Sequence, residues 1–147
     1  MSVRVVLPVA VVLLMAADEP AKDAKKELDK LQGEWTMVSL EESGKKSPDE
    51  FVKEFKLTIK ENEWNVVRLN RERFYKVTFK IDPSKDPKTL DLTFKRGEKE
   101  TVSRGIYKLE GDTLTLCRMT REGADRPKDF KTTAEDGTLV MWKRTKK

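Results

Sequence analysis

From Trp35 onward, apolar and polar side chains alternate with a period of two. Phe55, Leu57 and Ile59 are interleaved with Glu54, Lys56, Thr58 and Lys60; Tyr75, Val77, Phe79 and Ile81 with Lys76, Thr78 and Lys80. The same rhythm sets Leu90, Leu92 and Phe94 against Asp91, Thr93 and Lys95, and Leu114 and Leu116 against Thr113 and Thr115. One apolar and one wet face per segment is the pattern of an antiparallel sheet buried on one side. It predicts strands near 34–41, 54–60, 63–69, 73–81, 89–95, 101–109, 112–118 and 138–144, with a short extra strand or an extended loop at 128–134. Turn-forming pairs separate them: Glu61-Asn62, Asn70-Arg71, Asp82-Pro83, Arg96-Gly97, Glu110-Gly111 and Asp136-Gly137. About eight short strands joined in sequence favour an all-β, up-and-down barrel over a sandwich, because closure leaves no exposed edge.

The two ends of this series carry matching chemistry. Gly33-Glu34-Trp35 opens the first strand and Met141-Trp142-Lys143-Arg144 closes the last. An indole plugging the base of a small barrel, with a guanidinium across its face, would seal the floor, so Trp35 and Arg144 are the expected structural pair. Just upstream, Ala21, Ala24, Leu28 and Leu31 recur at three- and four-residue steps and predict a short helix within 18–32. Gly33 stands where a helix-terminating glycine belongs. Such a helix could lie across one end of the barrel; a solvated, partly helical segment is the alternative.

Residues 1–17 are of another kind. Arg4 precedes an apolar run from Val5 to Met15, and Ala16-Ala17 stands before Asp18-Glu19-Pro20. Eleven residues are too few to span a bilayer, which needs about 20, and the layout is that of a secretory signal cut after Ala17 or Ala16. The expected organisation is a signal peptide over 1–17, a linker and helix start over 18–27, and a barrel domain over 28–147. The mature chain would be exported to the periplasm or the extracellular space, with no membrane insertion after signal removal. Losing residues 1–17 removes one Arg from 31 basic residues, leaving 30 against 26 acidic ones, a net charge of +4. That mild, interleaved excess suits solubility. A lone Cys117 forbids an intrachain disulfide, so an exported domain must be held by its core.

The chain has no histidine, which removes the usual proton shuttle and weighs against catalysis and against a thiolate–imidazole metal site. Asp82, Ser84 and Asp86, with Asp91 beyond, faintly resemble a calcium loop, but the central Gly and terminal acid are missing and a turn around Pro83 and Pro87 accounts for them. Cys117 in a strand reads as a small buried thiol, with Arg118 pointing to the opposite face. Arg68, Arg71, Arg73 and Lys76 near Trp64, Phe74 and Tyr75 have the composition of a nucleic-acid surface, yet Glu61, Glu63 and Glu72 interrupt it and a solvated hairpin face is favoured. No cofactor, metal or nucleic acid is expected, and the chain is read as a monomer.

In the second half the residues become more specific. Lys88-Thr89-Leu90-Asp91-Leu92-Thr93, Gly105-Ile106-Tyr107, Gly111-Asp112-Thr113-Leu114, Leu116-Cys117, Arg126-Pro127-Lys128-Asp129-Phe130 and Lys143-Arg144 follow in order. With Leu31-Gln32-Gly33-Glu34-Trp35, the set resembles the uncharacterised lipocalin-like domain abundant in planctomycete bacteria, over about residues 28–144. The resemblance implies a lipocalin-like barrel and an exported or envelope setting. It implies no activity, because the family has no established function. The stretch from Asn62 to Arg73 departs from it in lacking loop glycines.

Together these readings lead to two functional expectations. The first is a barrel binding a small amphipathic or anionic molecule, with Tyr75, Phe79, Phe94 and Tyr107 as candidate wall residues. Arg126, stiffened by Pro127, would be a cation gripping an acidic group; Arg126 and Tyr107 would sit nearer the mouth. The competing role for Arg126 is to pin its own loop. The second is a cell-envelope interaction module with a filled barrel that meets a protein or polysaccharide. A cavity above about 300 Å³ with converging polar groups would favour the first; a solid interior with a contiguous exposed apolar patch would favour the second.

Overall fold

A computed structural model of the chain describes residues 19–69, 71 and 76–146. The expected signal segment, its cleavage site and Tyr75 lie outside the described residues. Helix α1 (Glu19–Leu31) leads into β1 (Gly33–Glu42), a two-residue hairpin strand β2 (Lys45–Lys46) and a single turn of helix, α2 (Asp49–Val52). Then come β3 (Phe55–Lys60), β4 (Glu63–Arg68), β5 (Lys76–Asp82), β6 (Lys88–Arg96), β7 (Lys99–Glu110), β8 (Thr113–Arg118) and β9 (Thr138–Arg144). The strands pair in the order β1-β3-β4-β5-β6-β7-β8-β9, all antiparallel, and β9 returns to β1. This is a closed eight-stranded up-and-down barrel. All eight strands expected from the alternation are present.

Alternation places Leu57 and Ile59, Trp64 and Val66, Val77 and Phe79, Leu90 and Leu92, Leu114 and Leu116, and Val140 and Trp142 in one interior cluster. On β1 the period breaks. Met37 pairs with Trp142 but Ser39 pairs with Met141, so Val38 is a bulge residue. One extra residue flips the facing of every later position on the strand. Leu40 is therefore buried, Val38 is exposed, and Glu42 reaches the interior end of its strand. Among the described residues, the β4–β5 register holds Glu63 opposite Thr78, with Phe79 N–H donating to Asn62 O nearby.

Two elements outside the barrel strands complete the fold. The first is α2, whose Val52 is 1% exposed and packs into the core from above. The second is a strap over 119–137, which crosses the outside of the barrel; of the two expectations for 128–134, the extended loop holds and the extra strand does not. Beneath it Ile106, Thr115 and Cys117 are buried although their positions point away from the interior. Asp136 knots the strap: its carboxylate accepts from Thr120 N–H (3.0 Å), Thr120 Oγ1 (2.5 Å) and Gly137 N–H (2.8 Å). Thr132 Oγ1 donates to the Glu41 carboxylate and Cys117 Sγ to Lys131 O, tying the strap to β1 and β8.

The glycine-poor stretch after Ile59 turns without glycine. Glu61 and Leu69 take positive φ (54° and 40°), a backbone region uncommon for residues with a side chain. Gly105 serves packing instead: a Cβ there would lie 2.8 Å from Cys117 O, so only glycine lets β7 and β8 approach so closely.

Candidate functional site

The two ends of the barrel differ in kind. At the floor, Trp35 is fully buried and its Nε1–H donates to Leu31 O (3.0 Å) at the end of α1. The Arg144 guanidinium lies 4.2 Å from the Trp35 ring centroid. It also donates to Gln32 O (2.8 Å), Lys30 O (2.6 Å) and the Asp112 carboxylate (3.2 Å). One cation thus covers the indole and satisfies carbonyls at the helix terminus, where positive charge is favoured. Gly33, at φ 117°, passes beneath it; a Cβ there would come 3.4 Å from Arg144 Nη1. Gln32 closes the rim through Glu61: its side chain accepts from Glu61 N–H (2.6 Å) and donates to Glu61 O (3.1 Å). Further along α1, Glu27 is only 7% exposed and binds Lys88 Nζ (2.5 Å) and Lys30 Nζ (3.3 Å). Burial alone would raise its pKa, but the hydrogen bonds from the two lysines hold it below the ordinary value.

The opposite half encloses a cavity of about 220 Å³. Its inner wall is Met37, Trp64, Val66, Leu92, Leu116 and Trp142; towards the mouth come Phe51, Phe55, Val77 and Phe94, with Glu42, Thr138 and Arg118 on one side. The aromatic rings are set by their elements. Phe51 on α2 meets Phe55 edge-on at 5.2 Å, and Trp64 meets Phe79 edge-on at 5.6 Å. Arg68 stands 4.6 Å from the Phe51 centroid while its Nε donates to Glu54 (2.6 Å), holding the α2 turn to β4. Arg118 donates to Ser103 Oγ (3.2 Å) and lies 5.5 Å from the Phe94 ring. Two lining residues carry buried polar atoms with no hydrogen-bond partner among the described residues, Thr138 Oγ1 and Trp142 Nε1. Orphaned groups of this sort cost free energy until something pairs with them.

Of the residues singled out in the sequence, Phe94 lines this cavity and Phe79 buttresses it through Trp64. Trp64 itself is 4% exposed inside the barrel and is no part of an outer basic face. Tyr107 and Arg126 are not near the mouth. Tyr107 sits opposite Lys88 towards the α1 end, buried, with its hydroxyl unpartnered among the described residues. Burial pushes its pKa well above the ordinary phenol value, and the negative charges of Glu27 and Asp82 add to the effect. Arg126 lies on the outer wall, where it forks onto Asp91 (2.5 and 3.1 Å) and donates to Gly105 O (2.7 Å), fastening the strap to β6 and β7.

Sequence reasoning misses Arg118, Glu42, Thr138 and Trp142 as cavity residues. Alternation puts Arg118 on the face opposite Cys117, and that face is the interior. Glu42 carries a signal only at the level of register, since the bulge at Val38 has to be known first, whereas Thr138 follows from its alternation with Val140 and Trp142. Cys117, fully buried under the strap, has its pKa raised to about 11 by burial, so its thiol is un-ionised near neutrality. No group of His, Cys, Asp and Glu suited to a metal ion occurs among the described residues.

Comparison with known proteins adds no relative: no family model, curated protein or solved structure matches this chain.

Proposed function

We propose that this chain is an exported, lipocalin-like barrel that binds a small amphipathic molecule in the mouth half of its interior, and that it belongs with the planctomycete-type lipocalin-like domains it resembles. The observation that carries the reading is the cavity between Trp64 and Trp142, apolar at depth and rimmed on one side by charged and hydroxyl groups. At about 220 Å³ it falls short of the about 300 Å³ at which drug-sized sites begin. The ligand is therefore small. An apolar cavity of about 150 Å³ already accepts benzene, so a single ring or a short branched chain fits, and a long acyl chain does not. The competing reading, an interaction module with a filled barrel, calls for a contiguous apolar patch outside. Among the described residues, the exposed large apolar ones, Val38, Leu69 and Val102, belong instead to separate segments, β1, the end of β4 and β7.

Native mass spectrometry of the protein purified from its own host tests the reading, with toluene as an added probe. A co-purifying small molecule, or toluene binding that is lost on filling the cavity by Val77→Phe, is the expected result. A chain that carries no ligand and binds no toluene would overturn it.

A further inference from the structure

The register of the mouth strands lays three polar side chains in one row. Thr138 on β9 stands directly opposite Glu42 on β1 and directly opposite Arg118 on β8, and all three line the cavity. Neighbouring strands are about 4.8 Å apart, so the acid and the guanidinium spring from backbones about 10 Å apart with a hydroxyl between them. An anion alone would meet Glu42 as a like charge; a cation alone would meet Arg118. A head group bearing both signs meets a complement at each end.

Resting on the binding reading above, we infer that the ligand is a zwitterion: a free α-amino acid with a single-ring or short branched apolar side chain. Its carboxylate takes the Arg118 guanidinium, whose planar donors match a carboxylate. Its ammonium faces Glu42. The side chain enters the apolar depth between Trp64, Leu92 and Trp142, where the volume sets the upper limit of one ring.

Titration calorimetry of the folded full chain with L-phenylalanine, 3-phenylpropanoate (no ammonium) and 2-phenylethylamine (no carboxylate) tests this. L-phenylalanine is expected to bind at least about tenfold tighter than either analogue. Glu42→Gln should abolish its advantage over 3-phenylpropanoate, and Arg118→Gln its advantage over 2-phenylethylamine, with near-ultraviolet circular dichroism confirming that both variants stay folded. If 3-phenylpropanoate binds as well as L-phenylalanine, the head group is a simple anion and the inference fails while the cavity reading stands. If toluene binds and none of the three charged probes does, the inference fails in the same way. If toluene does not bind either, both fail together.

Discussion

The floor and the mouth are built from the same alternation of inward side chains, yet they end differently. At the floor the charged and indole groups are matched, the indole N–H by Leu31 O and the guanidinium by the carbonyls of Lys30 and Gln32 and by Asp112, and the Tyr107 hydroxyl is left without a partner among the described residues. The mouth is richer in aromatic rings but leaves a cavity, two lining polar atoms without a partner among the described residues, and a cover of one helical turn. Charge-assisted hydrogen bonds fasten one end, and the other is left incompletely packed. Function is expected at the end where stability has been left unclaimed.

Breaking the floor should have the largest effect. Trp35→Ala is predicted to cost about 3–5 kcal/mol by chemical denaturation, the range for removing a buried large aromatic. Arg144→Gln should cost about 2–3 kcal/mol, since it removes the cation from the ring and several charge-assisted hydrogen bonds. Arg144→Lys should recover little of that, because one ammonium cannot reach the partners a fork spans.

The strap comes next. Asp136 is nearly buried, and although burial alone would raise its pKa, the hydrogen bonds from Thr120, Gly137 and Arg121 outweigh it and the value lies below the ordinary 3.8. A carboxyl depressed on folding contributes stability that is fully present above its unfolded value and is lost as pH falls through its folded value. Asp136→Asn should therefore cost about 1.5 kcal/mol near neutrality. The gap to the wild type should narrow only below about pH 4, as the wild-type carboxyl takes up its proton. Glu27, depressed by Lys88 and Lys30, adds a loss of the same sign. A gap that narrows between about pH 7 and 5 would contradict this assignment.

The smallest stability effect belongs to the mouth. Phe51→Ala should cost about 1 kcal/mol, the worth of an exposed-edge aromatic pair, yet speed ligand release measurably in stopped-flow fluorescence. A loss as large as that of Trp35→Ala would erase the contrast between the two ends.

Much of the fold is legible in the sequence because strand alternation is a local signal. Leu57 and Ile59, or Leu114 and Leu116, need no partner to reveal their facing. The floor is legible too, since Trp35 and Arg144 stand at the outermost positions of the first and last strands, and closure must bring those together. The cavity wall is not. Its polar row depends on a bulge at Val38 that composition does not mark, and on registers between strands far apart in sequence. Arg126 is ambiguous for a related reason: a conspicuous cation beside a proline looks the same whether it waits for a ligand or pins its own loop, and the structure fills the loop-pinning role through Asp91 and Gly105 O. The α2 turn is hidden because four residues are too few to display a helical period.

The central claim is that the Trp35 end is sealed and the space between Trp64 and Trp142 is open to a small guest. Fluorine NMR of protein labelled with 5-fluorotryptophan reads all three indoles at once as toluene is added. The account predicts that the Trp64 and Trp142 resonances move with saturable binding while Trp35 stays fixed. A shift at Trp35 with the other two unmoved, or no shift at any of the three, would contradict it.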